Sequence, residues 1–338
     1  MPIHTLRDYE AQDNPQSRPM PVPNQWQGGN TSSENTEQPQ YGFGQQFMNY
    51  GQTDERQDDQ FWSWNLGEQQ PKWYHILLLC CCPCFVGNPC SPIRRQDYKR
   101  MLLTFIFWIT ILDIIYFIVE VSLGGVVSRE VNPALGPGDA TLIKLGAKQA
   151  YLIKNKYEIH RLLVPIIMHA GFMHLFMNLF VQFMIGLGYE RNWKFYRIIP
   201  IYVISGIAGN LLSCCALPNN LSVGASGAIL GLIGAKLANI ICRWYKIPPQ
   251  HRIVQVISAV ITVAIVMLWS FSEYIDWASH LGGLIMGFFL GLAMFANSIE
   301  NKVIRLLFII VPSVLAFIFL LITSLMLGLV VKPLAIDY

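Results

Sequence analysis

The chain has 338 residues, of which 53% are hydrophobic and only 13% charged. Soluble domains carry about a quarter charged residues, so an ordinary soluble enzyme is excluded. The net charge of +3 also supplies no basic footprint for nucleic acid.

The first segment, assigned to 1–72, is rich in Gln, Asn, Pro and Gly. Residues 1–70 hold three basic groups (Arg7, Arg18, Arg56) and ten acidic ones, a balance of −7, so the remainder carries +10. Such a segment buries too little apolar surface to offset its ordering entropy and is expected to be a disordered cytosolic tail. It has neither the early apolar run of a secretory signal nor the arginines of a mitochondrial transit peptide. A Cys-rich stretch, 73–97, follows, with Cys80, Cys81, Cys82 and Cys84 clustered around Pro83. Consecutive cysteines do not suit a disulfide framework. They read either as S-acylation sites at the membrane surface or as a patch of reduced thiols.

Seven apolar blocks come next, at about 101–123, 164–188, 198–217, 223–242, 253–272, 277–297 and 306–331. Blocks of about twenty residues have the length that crosses a bilayer's hydrocarbon. Lys and Arg gather before the first block, between the second and third, between the fourth and fifth, and between the sixth and seventh. The loops 218–222 and 273–276 contain none. The positive-inside rule then places the amino terminus in the cytosol and the short tail 332–338 outside it. The second, fourth and sixth spans run the same way, and their first turns share one depth near the outer face.

Unusual polar residues occur at that depth. The second span contributes His169, His174 and Asn178, the fourth Ser226 and the sixth His280. Ionisable residues inside a span are costly and usually face the bundle or a water-filled cavity. Gly227, Gly231 and Ala235 repeat every four residues beside Ser226, and Gly283, Gly287 and Gly291 do so on the face of His280. Small residues at this spacing allow two helix backbones to approach closely, which would bring Ser226 against His280. A serine hydroxyl needs an adjacent base to act as a nucleophile, and a neutral histidine supplies one. Ser226 also opens a helix, where free N–H groups favour a developing anion. His174 and Asn178, four apart on one face, either donate hydrogen bonds to that anion or clamp two helices together. No third acidic member is evident, because Asp276 sits at the loop edge; a Ser–His dyad is expected.

The motifs HxxxxHxxxN, SVGASGAxxGLxGA and HLGGxxxG, in this order and preceded by SGIAGNLLS, resemble the rhomboid intramembrane serine proteases over roughly 98–331. The resemblance implies an all-α polytopic membrane helix bundle, with a six-helix core and a seventh, C-terminal transmembrane helix of the eukaryotic secretory-pathway type. It implies Ser226 as nucleophile, His280 as base, and His174 and Asn178 in the oxyanion hole. His169, Gly224 and Gly227 take supporting places, and Gly231, Gly283 and Gly287 pack helices. The implied substrates are single-pass transmembrane proteins within the lipid bilayer, cut beside small side chains near the lumenal or extracellular face. The implied location is the Golgi or plasma membrane. A catalytically silent, client-binding relative is the rival, against which the intact Ser226 and His280 stand.

Two positions depart from the family pattern. His160 precedes Arg161 where many members have Trp, and Leu230 stands where some bacterial members stack an aromatic on the histidine. Gly136–Asp139 matches the GxGD motif of aspartyl intramembrane proteases but lacks a second intramembrane Asp in a Tyr-Asp pair. His169 and His174 are five apart and do not share a helix face as zinc ligands would, so neither a metal nor a cofactor is expected. Asp113 and Glu120, seven apart on one face of the first span, have no role legible in the sequence.

Overall fold

A computed structural model describes residues 101–270 and 276–335. The predicted tail 1–72 and the segment 73–97, with Cys80, Cys81, Cys82 and Cys84, lie outside these residues. The described chain is an all-helical polytopic bundle. Its helices are α1 (Phe105–Gly124), α2 (Asp139–Leu145), α3 (Ala150–Lys156), α4 (Phe172–Trp193), α5 (Phe195–Ala216), α6 (Ser226–Cys242), α7 (Pro249–Ser270), α8 (Trp277–Phe295) and α9 (Lys302–Leu325). A π turn, Met326–Val330, extends α9. Five helices (α1, α4, α5, α8 and α9) are long and apolar enough to cross a membrane, whereas α6 and the apolar stretch Gln255–Ala264 of α7 are shorter.

The core is centred on α6. Thirteen of its 17 residues are buried, which follows from a helix that is apolar or small nearly all round, Lys236 and Asn239 excepted. By contrast, α9 buries only Pro312, Ala316 and Thr323. Lipid tails are as apolar as leucine, so helices in a membrane associate through close packing rather than the hydrophobic effect. Here the closeness comes from glycine. Gly283 of α8 rests on the carbonyl of Gly227 and Gly287 on that of Gly231, while Gly291 lies against Ala235. A Cβ at Gly283 or Gly287 would collide with those carbonyl oxygens. Gly209 of α5 packs on the Ser279 carbonyl, closing a three-helix seam of α5, α6 and α8.

The α1–α4 side is built differently. At one end Glu190 of α4 accepts hydrogen bonds from the amides of Phe105 (2.7 Å) and Ile106 (2.9 Å), satisfying donors at the start of α1 that have no intrahelical partner. Midway, Gln182 donates to Asp113 (2.8 Å) and Thr110 (3.0 Å) and accepts from the Tyr202 hydroxyl. At the other end Glu120 accepts from the amide of His169. Asp113, Glu120, Gln182 and Glu190 are each fully buried.

The structure corrects the entry to the second span. The apolar run from 164 predicts a helix there, but Ile159–Leu162 and Val164–Ile167 form two short 3₁₀ turns, and α4 starts only at Phe172. Pro165 lies in the second turn, and Gly171, in extended conformation, precedes the helix. His169 is therefore not in the span with His174 but in the connection ahead of it. The connection 125–171 is also more ordered than a polar loop. Residues 134–136 pack on the start of α4, where Phe172 and Met173 donate their amides to the carbonyls of Leu135 (3.0 Å) and Ala134 (3.2 Å). Gly136 of the GxGD match lies against the Ala170 carbonyl, and Asp139 opens α2. Arg161 ties the region together, donating to Glu158 (2.6 Å) and to the carbonyls of Ile143 (2.6 Å) and Ala147 (3.1 Å).

Candidate active site

Ser226 is the first residue of α6 and is half-buried. No side chain caps this helix, so its first-turn N–H groups, which have no intrahelical acceptor, are directed toward the surroundings of Ser226. His280 lies in the first turn of α8 and is buried. The glycine seam sets their relation. A Cβ on Gly227, next to Ser226, would stand 2.8 Å from the Ser279 hydroxyl and 3.2 Å from its carbonyl oxygen, next to His280. The neighbours of the two residues are thus in contact, and parallel helices put both at one level.

Asp276 caps α8 and reaches α5. One carboxylate oxygen caps α8 by accepting from the Ser279 amide (2.9 Å), and the other accepts from the Ser213 hydroxyl. An Asp immediately ahead of an apolar helix is a recognisable N-cap.

The approach to Ser226 passes over His174 and Asn178. Gly224 has φ of +128°, a conformation that strongly favours glycine. A Cβ there would lie 2.8 Å from His174 Cε1, 3.0 Å from Nε2 and 3.6 Å from the Asn178 amide nitrogen. The Gly224 amide donates to the Pro165 carbonyl (2.8 Å), which holds the turn down. His174 Nδ1 accepts from the Ala170 amide (3.3 Å). A neutral imidazole that accepts at Nδ1 carries its proton on Nε2, the nitrogen beneath Gly224. Asn178 uses one N–H on the His174 carbonyl (3.1 Å), leaving its second N–H for the site. His169 is fully buried and stacks edge-to-face on His174 at 5.5 Å between ring centroids. Among the described residues, neither of its ring nitrogens has a hydrogen-bond partner.

Gly224 thus meets His174 and Asn178, Gly227 meets Ser279 beside His280, and His169 stacks on His174. Gly231, Gly283 and Gly287 lie along the seam below. Leu230 is buried in the main apolar cluster. The arrangement offers a hydroxyl at a helix start, a histidine in the first turn of the helix packed on it, and N–H donors of His174 and Asn178 beneath Gly224.

Two participants have no signature in the sequence. Glu120, without a partner in the sequence reading, meets the His169 amide. Lys148, in the long connection, is fully buried. Its ammonium donates to the carbonyls of Leu217 (3.1 Å) and Asn220 (2.8 Å), and its backbone pairs with Ser222. It thereby fastens the strand-like approach to Ser226. Burial pushes its pKa below the ordinary lysine value, opposed by Cys214 and Asp276 nearby.

This fold and site define a class: a membrane-embedded helical bundle whose serine and histidine lie on adjacent glycine-packed helices. Residues 156–297 match the rhomboid domain. The chain is 40% identical over 162 residues to RHOMBOID-like protein 6, mitochondrial, of Arabidopsis thaliana, covering 47% of this chain and 52% of that one. It is 36% identical over 160 residues to RHOMBOID-like protein 1 of the same plant (47% and 41%). It is 35% identical over 196 residues to Rhomboid-like protease 1 of Toxoplasma gondii (57% and 64%). The chain spans about half the length of the Arabidopsis relatives it matches. It is a multi-pass membrane protein in which residues 156–297 are similar to the rhomboid domain.

Proposed function

We propose that this protein is an intramembrane serine endopeptidase that cleaves transmembrane-anchored proteins near the lumenal or extracellular face. The observation that supports the reading is the glycine seam that sets Ser226 and His280 in the opening turns of α6 and α8, together with the contact of Gly224 with His174 and Asn178 of α4. His280 takes the Ser226 proton as Oγ attacks the scissile carbonyl. The oxyanion receives hydrogen bonds from His174 Nε2, Asn178 and the first-turn amides of α6. His280 then returns the proton to the leaving amine, and water hydrolyses the acyl-enzyme by the same route. A transmembrane helix hides its carbonyls in its own hydrogen bonds, so substrates should unwind easily near that face.

The printed names of several Toxoplasma gondii relatives, Rhomboid-like protease 1, 2 and 3, support a proteolytic role. Seven spans with a cytosolic amino terminus, over 98–331, fit the flanking Lys and Arg. The extra span after His280 favours the secretory-pathway type, in the Golgi or plasma membrane. A relative named as mitochondrial makes the compartment a matter for imaging of the tagged full chain; mitochondrial staining would refute this placement.

Labelling of membranes with a fluorophosphonate probe tests the activity. Wild type should react at Ser226, and Ser226→Ala should abolish the signal. His280→Ala should eliminate cleavage of a single-pass reporter. A folded wild type that neither labels nor cleaves would refute the reading and favour a client-binding relative.

A further inference from the structure

We infer that Glu120 is a positioning residue for His174, acting through the turn 168–171. This inference rests on the assignment of His174 to the oxyanion hole. Glu120 lies on α1, fully buried, four turns into a membrane helix where a carboxylate is costly to keep. Its hydrogen-bonding partner among the described residues is a backbone group: both carboxylate oxygens face the His169 amide, at 3.2 and 3.3 Å. The next amide along the chain, that of Ala170, is the one that donates to His174 Nδ1 at 3.3 Å. The Ala170 carbonyl is held in turn by Asn132 at 2.8 Å. The His169 ring, carried by the residue that Glu120 grips, stacks on the His174 ring at 5.5 Å.

Two successive peptide groups thus connect the carboxylate to the imidazole. The first is fixed by Glu120. The second fixes which nitrogen of His174 carries the proton. If the turn rotates, Ala170 no longer fills Nδ1, the proton is free to move there, and Nε2 beneath Gly224 becomes an acceptor that repels an oxyanion. A carboxylate seven residues from Asp113 on the same face thereby gains a function that the α1–α4 packing alone does not require. The rest of α1 is already joined to α4 through Ile106 against Gly186, through Gln182 with Thr110 and Asp113, and through Glu190 on its first amides.

The test uses the full chain in detergent micelles, with Glu120→Leu, Glu120→Gln, His174→Ala and the double variant Glu120→Leu/His174→Ala. Glu120→Leu should lower kcat for the reporter by about tenfold or more, less than loss of an oxyanion donor itself, with KM within about twofold. Glu120→Gln, which still offers an oxygen to the His169 amide, should recover most of kcat. The double variant should be no slower than His174→Ala, because residues acting through one another are not additive. In 15N-histidine spectra, His174 should be a single Nε2–H tautomer in wild type and Glu120→Gln, and a mixture in Glu120→Leu. Should Glu120→Leu not fold, Glu120→Ala carries the same comparison. A wild-type kcat in the apolar variant, additive losses in the double variant, or an unchanged His174 tautomer would overturn the inference. A wild type without turnover would refute the protease reading instead, while the tautomer spectra still decide the role of Glu120.

Discussion

The two flanks of the candidate site are held by opposite means. On the α6–α8 side, Gly227, Gly231, Gly283 and Gly287 place backbone on backbone, and order comes from missing side chains. On the α1–α4 side, Glu120, Asp113, Gln182 and Glu190 fill the interior with hydrogen-bonding groups. The difference teaches what each flank tolerates. A seam without side chains has no room for one added atom, whereas a polar flank should accept any residue that keeps the acceptor in place.

The largest expected effect lies in the seam. Gly287→Ala drives a methyl into the Gly231 carbonyl and should cost about 3 kcal/mol, the upper end for overpacking, because backbone cannot step aside. Unfolding by SDS titration in mixed micelles measures it. The control is Gly188→Ala on α4, where a Cβ meets nothing within 4 Å; that variant should be at least as stable as wild type. Equal behaviour of the two would break the comparison.

Next comes Glu190→Ala, which strands two amides of α1. By the same titration it should cost about 3 kcal/mol, while Glu190→Gln should cost only about 1 kcal/mol, since leaving a buried donor unmade is the expensive event. A Gln variant as damaged as the Ala variant would show that shape, not hydrogen bonding, governs this flank. Lys148→Met keeps the buried stem but strips the donors to Leu217 and Asn220. It should cost about 2 kcal/mol and speed proteolytic nicking in 217–222; unchanged nicking would mean the backbone pairing with Ser222 suffices. The smallest effect is Asn301→Ala, loss of an exposed N-cap on α9, at about 1 kcal/mol. A larger loss there would mean that α9 matters more to the bundle than its few buried residues suggest.

These contrasts also explain what could be read in the sequence. The seam is legible because a four-residue repeat of small residues is a direct statement about backbone proximity. Asp276 reads in the sequence only as an acid at the loop edge; its cap on the Ser279 amide is seen in the structure. Glu120 and Lys148 are not legible, because their partners are backbone groups, and backbone carries no signature. The start of α4 was hidden by an apolar run continuous through Pro165. Hydropathy registers that a segment is apolar, not that two 3₁₀ turns interrupt its helix.

The 17 residues of α6 have one more consequence. A helix of that length is about 26 Å long, and a bilayer's hydrocarbon is about 30 Å thick. In the proposed orientation, with Arg243 and Lys246 at the cytosolic headgroups, Ser226 ends roughly 4 Å short of the opposite boundary. The approach through 217–225 must therefore descend into the lipid layer, carrying its polar backbone and its solvation with it. Bilayer thickness then becomes a variable of the site, since thicker membranes either sink Ser226 further from bulk water or thin around the protein.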